Sequence, residues 1–198
     1  FARIYQSMDL LPHHNWRVTS NLHANHGPGP EQWVLLNLWF QEHLAGREQN
    51  IPKTPPSTFR IENGRAHFSV IPSSLDRLVE TEIYYSNDPN CVTRFWKRAS
   101  ATKKGDTWKA NFKVQSKLPL YVFALCRFKL AEEAVLERGN TTMTFTLNSQ
   151  LHSHIPGDID LSAIAKLSKS GLLDNFSQGI GNWSSRDGPA IKTSKFPD

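Results

Sequence analysis

Four histidines, His13, His14, His23 and His26, fall within fourteen residues near the start of the sequence. The last of them runs directly into Gly27-Pro28-Gly29-Pro30. An imidazole is the side chain best suited to moving a proton near neutral pH. As a general base it must keep one ring nitrogen free for a nucleophile and hydrogen-bond the other to a carboxylate. A rigid turn poor in side chains, placed just after such a histidine, leaves room for substrate. His26 and, three residues earlier, His23 are the histidines beside that turn; the plain structural reading makes both of them polar residues at a strand end. Zinc asks for three or four ligands at fixed geometry, which H-x-x-H across a strand end and the adjacent pair His13-His14 match poorly. No metal or cofactor is expected. His152 and His154 in "LHSH" alternate as on one face of a strand, but with no carboxylate nearby they read as part of a solvated linker.

These histidines need elements to position them. Arg17 to Ala24 reads as a strand running into a loop, and residues 30–45 as a helix: Pro30 suits its first position, Trp33, Leu36, Phe40 and Leu44 recur at helical spacing, and Gly46 stands where a cap belongs. That helical face is large and apolar, and residues 1–50 do not supply the surface to cover it. Part of it is expected to be exposed or to lie on a neighbouring β domain. "NIPKTPPS", residues 50–57, reads as a proline-punctuated linker. From Thr58 the period changes to two. "TFRIENGRAHFSV" is two alternating runs joined by Asn63-Gly64, a strong hairpin signal because both residues tolerate positive φ. "LVETEIYYSND", "TRFWKRAS", "TWKANFKV", "LYVFALCRFKL" and "TTMTFTL" follow without a helical pattern between them. Seven short strands over residues 58–148 predict an antiparallel β-sandwich, with Ile61, Phe68, Ile83, Tyr85, Phe112, Val122 and Ala124 largely buried. Residues 149–198 read as a linker, a short helix beginning at Asp158 or Asp160 and ending before Gly171, and the opening of a further β module.

Strand, histidine, glycine turn and then a long helix is the arrangement by which α/β-hydrolases present their catalytic histidine, which comes last in the chain order nucleophile, acid, histidine. In "SMDLLPHHNWRVTSNLHANHGPGPEQW" and "LWFQEHLAG", residues 1–49 resemble the C-terminal end of such a domain, in particular that of the esterases grouped with dienelactone hydrolases and acetyl xylan esterases. The likeness extends more loosely through "EIYYSNDPNCVTRFWKRA", because several of those relatives carry a β-sandwich after the hydrolase domain. The resemblance implies a mostly β chain with a short α/β N-terminal piece: a last strand, a catalytic-histidine loop and a last helix, followed by an accessory domain. It makes His26, with His23 as runner-up, the general base of a serine-type carboxylic ester hydrolase. The rest of the triad is not in this text. No G-x-S-x-G occurs, and Asp9, the one acid in the expected region, sits in a helical turn with Ile4, Met8 and Leu11 on one face. Nucleophile and acid are expected in a hydrolase portion upstream of Phe1, and the chain alone is expected to be inactive.

The composition narrows the partners. Net charge is +5, from 23 basic and 18 acidic residues, and the basic residues look scattered. No nucleic-acid module surrounds them. No stretch approaches the roughly 18 apolar residues of a membrane span. The expected partner is a small-molecule or carbohydrate ester, with neither nucleic acid nor membrane, and analogy with polysaccharide deacetylases places the parent outside the cytoplasm. Cys91 and Cys126 lack zinc spacing and read as buried or half-buried thiols. Phe95, Trp96, Trp108, Tyr84, Tyr85 and Phe123 are numerous enough for a sugar platform, although strands favour aromatics in any case and core packing is the simpler role. The opposing reading of the whole chain is a non-catalytic carbohydrate-binding or spacer β-sandwich.

Overall fold

A computed structural model describes residues 2–13, 15–22, 30–90, 94–136 and 139–159, all belonging to one compact unit, Phe1–Asp160. The order is α1 (Ala2–Asp9), α2 (Pro30–His43), β1 (Ser57–Glu62), β2 (Arg65–Val70), β3 (Leu78–Ser86), β4 (Lys97–Arg98), β5 (Thr102–Lys104), β6 (Thr107–Lys113), β7 (Leu120–Val135), β8 (Thr141–Asn148) and β9 (His152–His154). The chain is mostly β and every ladder is antiparallel. One sheet runs β1-β2-β6-β5. The other runs β4-β3-β7-β8, with β9 also paired to β7. Alternating side chains of both sheets close on one core: Ala66, Phe68, Val70, Ala110 and Phe112 from the first sheet meet Ile83, Leu120, Val122 and Ala124 from the second.

Strand β7 is unusual in having both faces covered, which is why "LYVFALCRFKL" is almost continuously apolar rather than alternating. Leu120, Val122 and Ala124 face the first sheet. Further along the same pleat, Cys126, Phe128 and Leu130 pass beyond that sheet and are covered by Val34 and Leu35 of α2 together with Ile51. On the opposite pleat Tyr121, Phe123 and Leu125 pack with Trp96, Tyr84, Leu22 and Leu151. One edge of β7 takes β3. The other takes β8 and then β9, and Ser149 joins the two: its N–H donates to the Ala124 carbonyl (2.8 Å) and its Oγ accepts from the Ala124 N–H (2.9 Å).

Helix α2 ends where the sequence says it should. Gly46 adopts φ 65°, the left-handed conformation of a C-terminal glycine cap, and just past it the Arg47 N–H returns to the Gln41 carbonyl at 2.8 Å. The face it buries is not the one the spacing singled out. Val34 and Leu35 are buried and Leu38 and Trp39 half-buried, whereas Trp33, Leu36, Phe40 and Leu44 are 40, 40, 47 and 78% exposed. The segment is apolar nearly all round, so its period cannot select a face. The expectation that part of the Trp33–Leu44 stripe stays uncovered holds.

Other differences have local causes. Residues 17–22 form no strand. They run along the end of β8 through Asn148 N–H to Val18 O (2.7 Å), Thr19 Oγ1 to Thr146 Oγ1 (2.7 Å) and Asn148 Nδ2 to Ser20 Oγ (2.8 Å). The proline-rich stretch at 50–57 is packed: Ile51, Pro52 and Pro55 are buried, Pro52 O accepts from Arg17 Nε, and Thr54 Oγ1 donates to Trp16 O. In α1 it is Tyr5 that is buried, while Ile4 and, just past the helix, Leu11 are exposed. "TRFWKRAS" yields only the two residues of β4, because Arg94 folds back to donate to the carbonyls of Asp88 and Pro89. Of the seven residues expected in the core, Ile61 is 38% exposed and Tyr85 only half-buried; the other five are buried. Ile61 sits at the tip of the β1–β2 hairpin, outside the shared core. Cys126 is a buried free thiol; Cys91, the expected helix after Asp158 and the further module lie outside the described residues.

The β1–β2 hairpin is as read. Asn63 and Gly64 take φ 50° and 71°, both left-handed, as a two-residue turn between right-twisted strands requires. A Cβ at Gly64 would meet nothing within 4 Å, so any cost of substitution there is conformational. Gly64→Val is expected to lower unfolding free energy by about 1–2 kcal/mol, read from the urea midpoint, with no change in the slope of the transition.

Candidate functional site

His23 and His26, the two candidates for the general base, lie outside the described residues, as does His14. His13 is exposed just past α1. What the structure does place is the approach to the histidine corner. The segment that ends at Leu22 forms one wall of an open groove of about 490 Å³ on the outer side of the β3-β7-β8 sheet. Glu82 and Tyr84 come from β3, Leu125 and Arg127 from β7, and Thr141 and Thr142 from the start of β8. Residues two apart on a strand share a face, so the pleat brings Glu82 and Tyr84 to the same side. Tyr84 Oη donates to Glu82 Oε2 at 3.0 Å, and Arg98 holds Glu82 Oε1 at 3.0 Å and Glu80 Oε1 at 2.9 Å. Burial first, and then the neighbouring Glu82 carboxylate, push the Tyr84 phenol up to about 12, so it remains a neutral donor at physiological pH. The groove therefore offers a fixed phenol, a carboxylate already engaged by a guanidinium, and two threonine hydroxyls.

The pair His152 and His154, expected in a linker, lies in a strand. Both belong to β9, which pairs with the start of β7. His152 Nε2 lies 2.9 Å from Ser57 Oγ, its ring stacks on Phe59 at 5.8 Å, and it meets the edge of Phe68 at the same distance. The alternating spacing was the available signal. Nothing in the sequence showed that the partner strand lay thirty residues upstream. Ser57 and His152 have the types of a nucleophile and base, but neither lines the groove, and the ring is seated between aromatics as a packing element.

The aromatic residues mostly fill the core. Phe123 is fully buried, with Trp96 edge-on at 4.8 Å and Tyr84 stacked at 6.0 Å. The Arg94 guanidinium lies 3.6 Å from the Tyr121 ring centre, which fixes the β3–β4 connection. Tyr84, Tyr85, Phe95 and Trp108 are half-buried, and Lys103 Nζ lies 4.6 Å above the Trp108 ring. Among the described residues no three histidine, cysteine or acidic side chains converge as metal ligands, and no helix is long and apolar enough to cross a membrane. No family model, curated protein or solved structure matches the chain.

His152 makes a pH test possible. Burial holds its pKa below the ordinary 6.5, so the folded ring stays neutral while the unfolded ring takes a proton once the pH falls through about 6.5. The unfolded state then binds more protons, and stability falls with falling pH until the folded ring titrates as well. His152→Gln keeps a polar partner for Ser57 without the titration. Comparing urea midpoints at about pH 7.5 and about pH 5.5, the loss of stability on acidification is expected to be smaller in the variant than in the wild type.

Proposed function

We propose that residues 1–46 are the closing segment, histidine loop and last helix of a serine-type carboxylic ester hydrolase, with His26 as its general base and the paired sheets as an accessory domain fastened to that helix. Helix α2 carries this reading. It is apolar on two sides: Val34 and Leu35 are spent on β7 and β8, while Trp33, Leu36, Phe40 and Leu44 face outward. A helix that seals one domain and presents a second apolar stripe suits a position between the accessory sheets and a further layer, as the last helix of an α/β-hydrolase would be. The histidine corner immediately precedes it, and the groove bounded by Ser20, Asn21 and Leu22 lies beside the same stretch of chain.

In such an enzyme the imidazole of His26 takes the proton of a serine hydroxyl as the oxygen attacks the ester carbonyl, then returns it to the leaving alkoxide. The ester is a small molecule or a carbohydrate ester. With the nucleophile supplied by the rest of the parent protein, His26→Ala is expected to reduce turnover of p-nitrophenyl acetate by about 10⁴ to 10⁶, as for other triad members, and His23→Ala far less. The present chain alone should not exceed free imidazole. Reversed effects move the role to His23; full activity in both variants returns the chain to the alternative class, a non-catalytic binding or spacer module. The helix gives an independent check. Phe40→Ser is expected to change the stability of this chain by less than about 0.5 kcal/mol, because the ring is exposed, and that of the intact parent by considerably more.

A further inference from the structure

The face of the β1-β2-β6-β5 sheet turned away from the core carries most of the chain's excess charge. Register fixes which residues share it: Arg65 lies opposite Lys113 and Glu62, and Arg60 opposite His67. Lys109 lies opposite Ser69 and Thr102, and Lys104 opposite Thr107. Five cations (Arg60, Arg65, Lys104, Lys109, Lys113) and one carboxylate (Glu62) leave +4 on this face, of +5 for the whole chain. All six are exposed. Glu62 is engaged by Arg60 at 3.3 Å, and among the described residues none of the other four cations makes an ion pair. Arg65 and Lys113 face each other directly, a like-charge cross-strand pair that opposes folding. The one carboxylate beside this pair, Glu62 opposite Arg65, is already engaged by Arg60.

We infer that this face binds an acidic polysaccharide, a sugar chain bearing uronate carboxylates, laid along β6. Lys113, Lys109 and, on the next strand, Lys104 form a line of cations separated by one or two pleat repeats of about 7 Å, spanning roughly 20 Å. Between and beside them are neutral hydrogen-bonding groups: Asn111, Ser69, Thr58 and Thr102. Cations at intervals with amides and hydroxyls between them complement a polymer that carries one carboxylate per sugar and hydroxyls on every ring. Duplex DNA, with one charge per about 1.7 Å, calls for denser cations and an element that enters a groove. The residues that register places on this face include no tryptophan, tyrosine or phenylalanine, and His67 is the one ring among them, too few for a stacking platform. The face has no large apolar side chain to enter a lipid interface either. The inference stands on the sheet alone and does not depend on the esterase reading.

The test is affinity electrophoresis of this chain through gels containing polygalacturonate, neutral galactan or no polymer, with retardation converted to a dissociation constant. Retardation by polygalacturonate alone is expected, abolished by raising salt from about 50 mM to about 500 mM. The triple variant Arg65→Gln, Lys109→Gln, Lys113→Gln should bind about tenfold or more weakly, while Lys129→Gln, an exposed lysine on the other sheet, should bind as the wild type does. Circular dichroism and the urea midpoint establish that the triple variant is folded. If it is not, Lys109→Gln alone, with Ser69 and Thr102 as its neighbours, carries the test through a smaller loss. Absence of retardation, equal retardation by neutral galactan, or unchanged binding in the folded variants overturns the proposal. Tighter binding to duplex DNA or to phosphatidylserine vesicles than to polygalacturonate overturns it as well.

Discussion

Strand β7 is hydrogen-bonded along both edges and covered on both faces, and the other elements take their places from where they meet it. A strand this deeply placed brings polar backbone and neighbouring polar side chains away from water, and these must be paired inside the protein. Thr146, Asn148 and Ser149, on the strand beside it, are all buried. Their partners come from the other end of the sequence: Val18 O, the Thr19 hydroxyl, the Ser20 hydroxyl and, through the Ser149 carbonyl, the Tyr5 hydroxyl. The N-terminal stretch is thereby fixed to the sheet by polar contacts, and α2 by apolar ones. Removing either would leave the other holding a partly opened edge.

The two sheets also divide the electrostatics. The β3 side carries Glu80 and Glu82, each engaged by Arg98, whereas the exposed face of β1, β2, β6 and β5 carries cations with a single carboxylate among them. Compensated charge borders the groove beside Ser20–Leu22; uncompensated charge lies on the outer face of the other sheet. Whatever each surface meets, the two chemistries do not compete for the same residues.

Much of the β architecture was legible because it is local. Asn63-Gly64 names its own turn, and the period-two runs around it name the strands. Gly46 names the end of α2. What was not legible depended on distant partners. No residue within "LHSH" reveals that Ser57 and Phe59 wait beside it, and no property of "NIPKTPPS" reveals that Ile51 will cover Phe128. The face chosen by α2 could not be read because Trp33, Leu36 and Phe40 are as apolar as Val34, Leu35 and Leu38. The cationic face was not legible for a geometric reason: its members are spread over four strands and become neighbours only through register. For the histidine corner, the sequence offers a candidate and a chemistry, and the described residues stop at Leu22, just before it.

Cys126 turns the buried side of β7 into something that can be timed. Its thiol is fully buried beneath α2, and burial pushes it up to about 12, so in the closed protein it is neither accessible nor ionised to a useful extent. Alkylation must then wait until the helix lifts or the sheet separates. In a Cys91→Ser background, the labelling rate of Cys126 therefore becomes a clock for that opening, and its dependence on denaturant separates a local detachment of α2 from disruption of the whole sheet.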